Sequence, residues 1–368
     1  MISKLLELTP EQLKTRFKEL GLEPYRADQV LNWIYQKGVY DLEKMTNLSA
    51  ALRAQLKESF AIGLPEIAER QLSDDDKSVK LLLKLSDKEL VETVCIPTTK
   101  TSVGLRSAIK ASADLRPTTE GLSRSRTTVC VSTQVGCKFH CAFCASGQKG
   151  FFRNLTAAEM LSQVLLARDA APDKKITHIV FMGIGEPFDN YSELLKTIRM
   201  LNSRQGLHIG ARKITVSTCG LVPKIEAFGE EGLQVELSVS LHGSNDAVRG
   251  LIMPVNKPYP VATLIEACKR YAKKTKRAIT FEYILIQGVN ASEAQARDLA
   301  KLLKGMLCKV NLIPYNSIEE FPHAQPSYPE ILRFQEILQK AGVKTTVRFS
   351  KGRDIQAACG QLRSVKIK

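Results

Sequence analysis

The sequence predicts an α/β fold: a partial barrel of parallel strands with helices outside, preceded by a small helical module and a β-hairpin. Three observations carry this expectation. From residue 128 onward, strand-like apolar runs alternate with helix-period segments, which specifies a parallel sheet covered by helices. Before about residue 60 the apolar residues recur at helical spacing instead. Between these parts, two apolar runs flank a short polar turn.

The elements follow in order. In residues 1–62, Val30, Trp33 and Ile34, then Leu48, Leu52 and Leu56, mark helical faces, and breaks at Gly21 to Pro24 and at Gly38 divide them. Thr46 and Asn47 read as helix-start chemistry, and Trp33 as core, with Tyr25 and Arg26 available to touch a partner. Residues 63–97 hold the hairpin, with strands expected at 79–85 and 89–96 around Ser86, Asp87 and Lys88. Residues 98–127 are rich in Ser and Thr, carry Lys100, Arg106, Lys110, Arg116, Arg124 and Arg126, and lack a sustained apolar period, so a basic surface insertion is expected. Residues 128–350 form the barrel. Its strands are expected at 128–132, 178–182, 213–217, 236–241, 280–286, 309–313 and 344–348, and its helices at 157–170, 191–200, 261–273, 292–304 and 331–341. Residues 351–368 are a loop or tail carrying Cys359.

Composition narrows the class of function. The 53 Lys and Arg outnumber the 38 Asp and Glu, a net charge of +15 that favours a polyanionic partner such as RNA or DNA, although a merely soluble basic protein has the same excess. An acidic residue and a proline interrupt the first ten positions, where a signal peptide needs an apolar core, and no later stretch is apolar for long enough to span a membrane. Nine cysteines, odd in number and unevenly spread, suit a reducing compartment better than a disulfide framework. A cytoplasmic protein is expected.

Cys137, Cys141 and Cys144 are the most specific signal. Three soft sulfur ligands hold three irons of a [4Fe–4S] cube and leave the fourth open to a small molecule. The Cys-x3-Cys-x2-Cys spacing, with Phe143 just before the last cysteine, resembles the radical S-adenosylmethionine (SAM) enzymes, in which the open iron chelates the amino acid end of SAM. A zinc loop is the rival, but it wants a fourth ligand, which would be His140 or a distant cysteine. Polar and glycine residues collect at the expected strand ends. Gly185 and Glu186, in Met182-Gly-Ile-Gly-Glu-Pro187, let backbone approach a ligand and offer a carboxylate to an amine. Ser217, then Ser240, Leu241 and His242, then Asn316 end later strands and offer hydrogen bonds to a ribose or carboxylate, although each taken singly suits a satisfied turn or cap. Cys359 beside Gly360 reads as an accessible thiol that could approach Cys130, whereas Cys95, Cys219, Cys268 and Cys308 read as small buried apolar residues.

Taken together, stretches spread over nearly the whole chain resemble the dual-specificity RNA adenine methyltransferases, a radical SAM family. They include residues 25–35, 45–49, 130–137, 152–156, 181–187, 239–242, 251–256, 310–314 and 354–362. The resemblance implies a partial (β/α)6 radical SAM barrel, one [4Fe–4S] cluster on Cys137, Cys141 and Cys144, and two SAM per turnover, with Gly185, Glu186, Ser217, Ser240, Leu241, His242 and Asn316 as SAM contacts. It further implies methylation of adenine C2 in 23S rRNA and in tRNA. Cys359 would carry the methyl group as S-methylcysteine, Cys130 would free the product through a transient disulfide with Cys359, and Glu92 would accept the proton. A flavodoxin or ferredoxin would supply electrons, and a monomer is expected. Glu92 by itself reads as a solvent-facing strand residue. The chain departs from the family in the long basic stretch between Glu92 and Cys130, expected to add phosphate contacts. Two alternatives stand beside this reading: a C8-specific rRNA methyltransferase sharing the cysteines, and a non-catalytic iron–sulfur or zinc RNA-binding module.

Overall fold

The computed structural model describes residues 2–98, 126–171 and 175–363, so most of the expected basic insertion lies outside the described residues. The short strand β1 (Ser3–Lys4) pairs in parallel with β2 (Phe60–Ala61), tying the two ends of the N-terminal module. Between them lie α1 (Pro10–Glu19), α2 (Tyr25–Leu31) and α3 (Ala50–Ser59). Thr9 and Gln12 close a capping box on α1, satisfying amide donors a helix start leaves open. Two expectations are corrected here. The residue that caps α3 is Ser49, whose Oγ accepts from Leu52 N, while Asn47 accepts from the Trp33 indole. Trp33 is half-buried rather than core, with the Lys37 ammonium 3.5 Å over its ring, because Leu13, Phe17, Val30 and Ile34 fill the module's interior.

The hairpin expected at 79–96 is part of something larger. Strands β3 (Glu66–Leu72), β4 (Val79–Lys84) and β5 (Leu90–Thr98) form an antiparallel meander. Then β5 pairs antiparallel with β6 (Arg126–Cys130), with Val94 opposite Cys130. After β6 come a two-stranded ribbon, β7 (Gln134–Gly136) with β8 (Phe151–Asn154), and the helix α4 (Ala157–Ala170). Parallel pairing then runs from β6 through β9 (His178–Phe181), β10 (Ile214–Thr218), β11 (Glu236–Ser240), β12 (Ile279–Leu285), β13 (Cys308–Pro314) and β14 (Lys344–Val347). The ten strands make one sheet in the order β14-β13-β12-β11-β10-β9-β6-β5-β4-β3, whose first and last strands are not hydrogen-bonded to each other, so the barrel is open.

The intervening crossovers carry α5 (Tyr191–Asn202), α6 (Val222–Glu230), α7 (Asp246–Ile252), α8 (Val261–Thr275), α9 (Glu293–Leu303) and α10 (Tyr328–Lys340). Period-two alternation sorts the strand residues. Leu237, Val239, Phe281, Tyr283, Val310 and Leu312 pack outward under the helices, fully buried. On the inner face Ser217, Ser240 and Asn311 stay half-buried, as lumen residues of an open barrel do. Arg168 of α4 joins module to barrel: its guanidinium donates to the carbonyls of Ile34 and Tyr35 and to the Tyr40 hydroxyl.

Candidate active site

The cysteine loop is held at both flanks. Gly136 ends β7 at φ 76°, and a Cβ there would lie 2.0 Å from the Gly150 carbonyl, so only glycine lets the ribbon close. Cys137 N then donates to Gly150 O at 2.9 Å, and Ala142 N to Ile252 O at 2.9 Å. Phe143 is buried edge-on against His242, with ring centroids 4.7 Å apart. Burial raises the pKa of all three cysteines, that of Cys137 to about 12; neighbouring thiols add to the shifts of Cys137 and Cys141, while hydrogen bonds from Ser146 and Gly147 oppose that of Cys144. A metal that takes them as thiolates must therefore displace protons. The buried Arg249 guanidinium beside Cys141 favours the charged form. Among the described residues no three His, Cys, Asp or Glu converge on a single ion; three vertices of a four-iron cube demand no such convergence. The donor set fits the cluster: three thiols on one rigid loop, with a compensating cation beneath.

Glu186 follows β9 and is buried. Its Oε1 accepts from Phe188 N at 2.9 Å and its Oε2 from Cys219 N at 2.7 Å, so it ties the ends of β9 and β10 together. The Thr218 and Cys219 side chains also hydrogen-bond to this carboxylate, and burial, the largest influence on it, raises its pKa. Gly185, at φ 98°, brings the chain against Gln134, whose Oε1 accepts from Glu186 N. Ser217 and Ser240 lie half-buried on β10 and β11. Leu241 has its side chain in the core and both main-chain groups committed, N to Glu282 O and O to Arg249 Nε, so it offers no unspent group. His242 accepts through Nδ1 from Ile284 N, and burial together with Arg249 holds its pKa to about 3, so the ring is neutral. Asn316 donates to Ser350 Oγ and to the carbonyl of Cys359, while its Oδ1, though buried, has no partner. That orphaned acceptor suits a ligand hydroxyl.

The C-terminal segment crosses the barrel mouth like a strap. Ala145 N donates to Gly360 O at 2.7 Å and Ser146 Oγ to Leu362 O at 2.8 Å, fixing the strap to the cysteine loop. At its start Asp354 accepts from Ser73 Oγ and Asp74 N. Cys359 is exposed, yet surrounding protein raises its pKa, the situation of a thiol open to solvent inside a concave mouth. It lies within electrostatic reach of both Cys144 and Cys130, and Cys130, buried at the end of β6, is pushed up to about 12 by burial first and Cys359 second. Cys130 and Cys359 are both free thiols, so no standing disulfide joins them.

Glu92 overturns the solvent-facing reading: it is 6% exposed, on the inner side of β5. Its Oε1 lies 3.2 Å from the Lys80 ammonium of β4, and its Oε2 accepts from Arg363 N of the strap at 2.8 Å. Burial raises its pKa; Lys80 and the Arg363 amide oppose the shift. The structure thus brings Glu92, Cys130, Cys359 and the cysteine loop to one mouth. Sequence reasoning missed Lys80, Arg249, and the Glu282–Arg348 pair on β12 and just after β14, 4.0 Å apart. A lysine alternating with leucines on a strand is the one local sign of Lys80, and nothing local marks Arg249, whose five donor contacts end on groups between Cys219 and Tyr259.

Two family models match the chain: the ribosomal RNA large subunit methyltransferase N-terminal domain over residues 3–62, and the radical SAM superfamily over residues 131–300. The "Probable dual-specificity RNA methyltransferase RlmN" of Thermoanaerobacter sp. (strain X514) is 45% identical over 364 residues, covering 99% of this chain and 98% of the relative. The protein of the same name from Thermosipho melanesiensis is 42% identical over 367 residues, covering 100% of both chains. A crystal structure of a radical SAM methyltransferase from Sphaerobacter thermophilus superposes with a TM-score of 0.89 at 42% identity, covering 99% of this chain and 100% of the other.

Proposed function

Because the chain belongs to the RlmN family of dual-specificity radical SAM RNA methyltransferases, we propose that it methylates C2 of an adenine in 23S rRNA and in tRNA. The observation that carries this reading is the position of Cys359, on a strap between the cysteine loop and Cys130, with Glu92 hydrogen-bonded to the same strap. C2 of adenine is an electron-poor amidine carbon that cannot attack a methyl cation, so an intermediate carbon carrier and radical chemistry are needed.

Cys137, Cys141 and Cys144 would hold the [4Fe–4S] cluster, with Glu186, Ser217, Ser240, His242 and Asn316 placed around the SAM. Once bound, these groups supply the methyl group and the hydrogen-abstracting radical. Cys359 takes the methyl on its sulfur, and the strap holds that sulfur where hydrogen can be removed and the resulting methylene can meet the base. Glu92, a carboxylate made more basic by burial, accepts the C2 proton at Oε1 or Oε2. The adduct gives up its unpaired electron, for which the cluster would be the acceptor. Cys130, as the thiolate, then attacks the Cys359 sulfur: an S–S bond forms, the S–C bond breaks, and the freed carbon takes a proton to become the methyl group. An external two-electron reductant reopens the Cys130–Cys359 pair to the free thiols of the resting protein.

The test is anaerobic turnover of reconstituted protein with dithionite, methyl-labelled SAM and a 23S rRNA fragment, read by nucleoside mass spectrometry beside Cys359→Ala. The expected product is 2-methyladenosine from the wild type alone. Formation of 8-methyladenosine would reassign the position of attack, and methylation by Cys359→Ala would remove the carrier role.

A further inference from the structure

A cavity of about 870 Å³ opens against the cysteine loop, apart from the mouth where Cys359 lies. One wall is Lys138, Phe139 and His140, the three residues between the first two cysteines, so whatever fills the cavity touches the loop itself. None of Cys130, Cys359, Glu92 or Asn316 lines it.

Its chemistry is that of a protein contact. Pro223, Pro254 and Pro258 give rigid apolar walls without amide donors, a poor match for phosphates, which want main-chain N–H groups and arginine forks. Leu251 of α7, three residues before the lining Pro254 in the chain, is 72% exposed, the most exposed large apolar side chain among the described residues. The rim is basic: Lys224 stands exposed over the Tyr191 ring, and Lys257, next to Pro258, is exposed. Asp189, the one acid among the described lining residues, is already paired with Lys138 at 2.6 Å. An apolar centre with a lysine rim selects an acidic protein partner.

The function proposed above needs an electron delivered into this loop, and electron transfer falls off steeply with distance. We propose that this face is the docking site of an acidic, low-potential one-electron carrier protein, a reduced flavoprotein or iron–sulfur protein. The inference rests on the cluster reading. On docking, the carrier loses one electron and the cluster gains it; no bond is made or broken. Such encounters are small and transient, and are steered by charge.

The experiment compares wild-type holoenzyme with Lys224→Glu/Lys257→Glu and with Leu251→Asp, all at exposed positions. Each is mixed anaerobically with reduced flavodoxin or with dithionite, and bleaching of the cluster's visible absorbance is followed at low and high salt. The expected result is a reduction rate by flavodoxin lowered about tenfold in the double variant at low salt, with the dithionite rate unchanged. Equal slowing by both reductants, no slowing by either, or weakened 23S rRNA binding with normal flavodoxin reduction would each overturn the docking site. A wild type with no reducible cluster would overturn the reading of function beneath it.

Discussion

At the scale of single residues, Glu92 stands between opposed influences: desolvation makes it basic, and Lys80 restrains that basicity. Lys80→Met is expected to move the acidic limb of the pH–rate profile upward. The sign follows from its charge: removing the cation raises the carboxyl pKa further, so protonation disables the base at a higher pH than before. It should also cost about 3 kcal/mol in denaturant unfolding, since it leaves a buried charge without its partner; Lys80→Arg should recover much of both effects. Cys130 makes a second prediction. With its pKa near 12, its thiolate fraction rises tenfold per pH unit across roughly pH 7 to 9. Release of product from the enzyme–RNA adduct, timed in single-turnover quenches, should rise with that slope; a flat profile would show that another group resolves the adduct. The cysteine trio was legible because its spacing is local. Glu92 came only through family resemblance, because strand alternation cannot tell an outer face from a lumen. Lys80 and Arg249 stayed hidden because a buried charge is recognised by partners that only folding brings near.

At the scale of elements, the β7–β8 ribbon is the part the loop depends on. Gly136→Ala would drive a Cβ into the Gly150 carbonyl and force an L-residue to φ 76°. Iron bound per chain after reconstitution should fall below half, with a loss of about 2 kcal/mol or more and unchanged far-UV circular dichroism. The strap makes a gentler prediction: Asp354→Ala removes its bonds to Ser73 and Asp74, so hydrogen exchange should accelerate over residues 351–363 while the barrel helices stay protected. The expected strands and helices of the barrel match the observed ones to within a few residues, because long apolar periods state their own type. The elements that escaped were weakly patterned. Strand β3 is exposed along most of Glu66–Leu72, so it shows no buried alternation; α6 contains Pro223 and Gly229, and α7 is seven residues long with Gly250 inside.

At the scale of the whole molecule, the N-terminal module shares one apolar core with the barrel and is further tied to it by polar bonds from Arg168, from Gln36 to the Gly206 carbonyl and from Gln205 to Asp28. Arg168→Met should loosen that joint: thermal unfolding is expected to split into two transitions, and RNA affinity to fall with the cluster content unchanged. A single transition at the wild-type temperature would show that the apolar interface alone suffices. The α/β architecture was readable from alternation along the chain. The fusion of the meander to the barrel was not, since the β5–β6 pairing joins segments separated by residues 99–125. That pairing has an evolutionary consequence. Val94 faces Cys130 through ladder hydrogen bonds, so the span from Glu92 to Cys130 is measured across the sheet and not along the chain. Any number of residues inserted between Thr98 and Arg126 leaves that span the same, and lineages are free to lengthen, shorten or rewrite this one stretch without renegotiating the chemistry beside it.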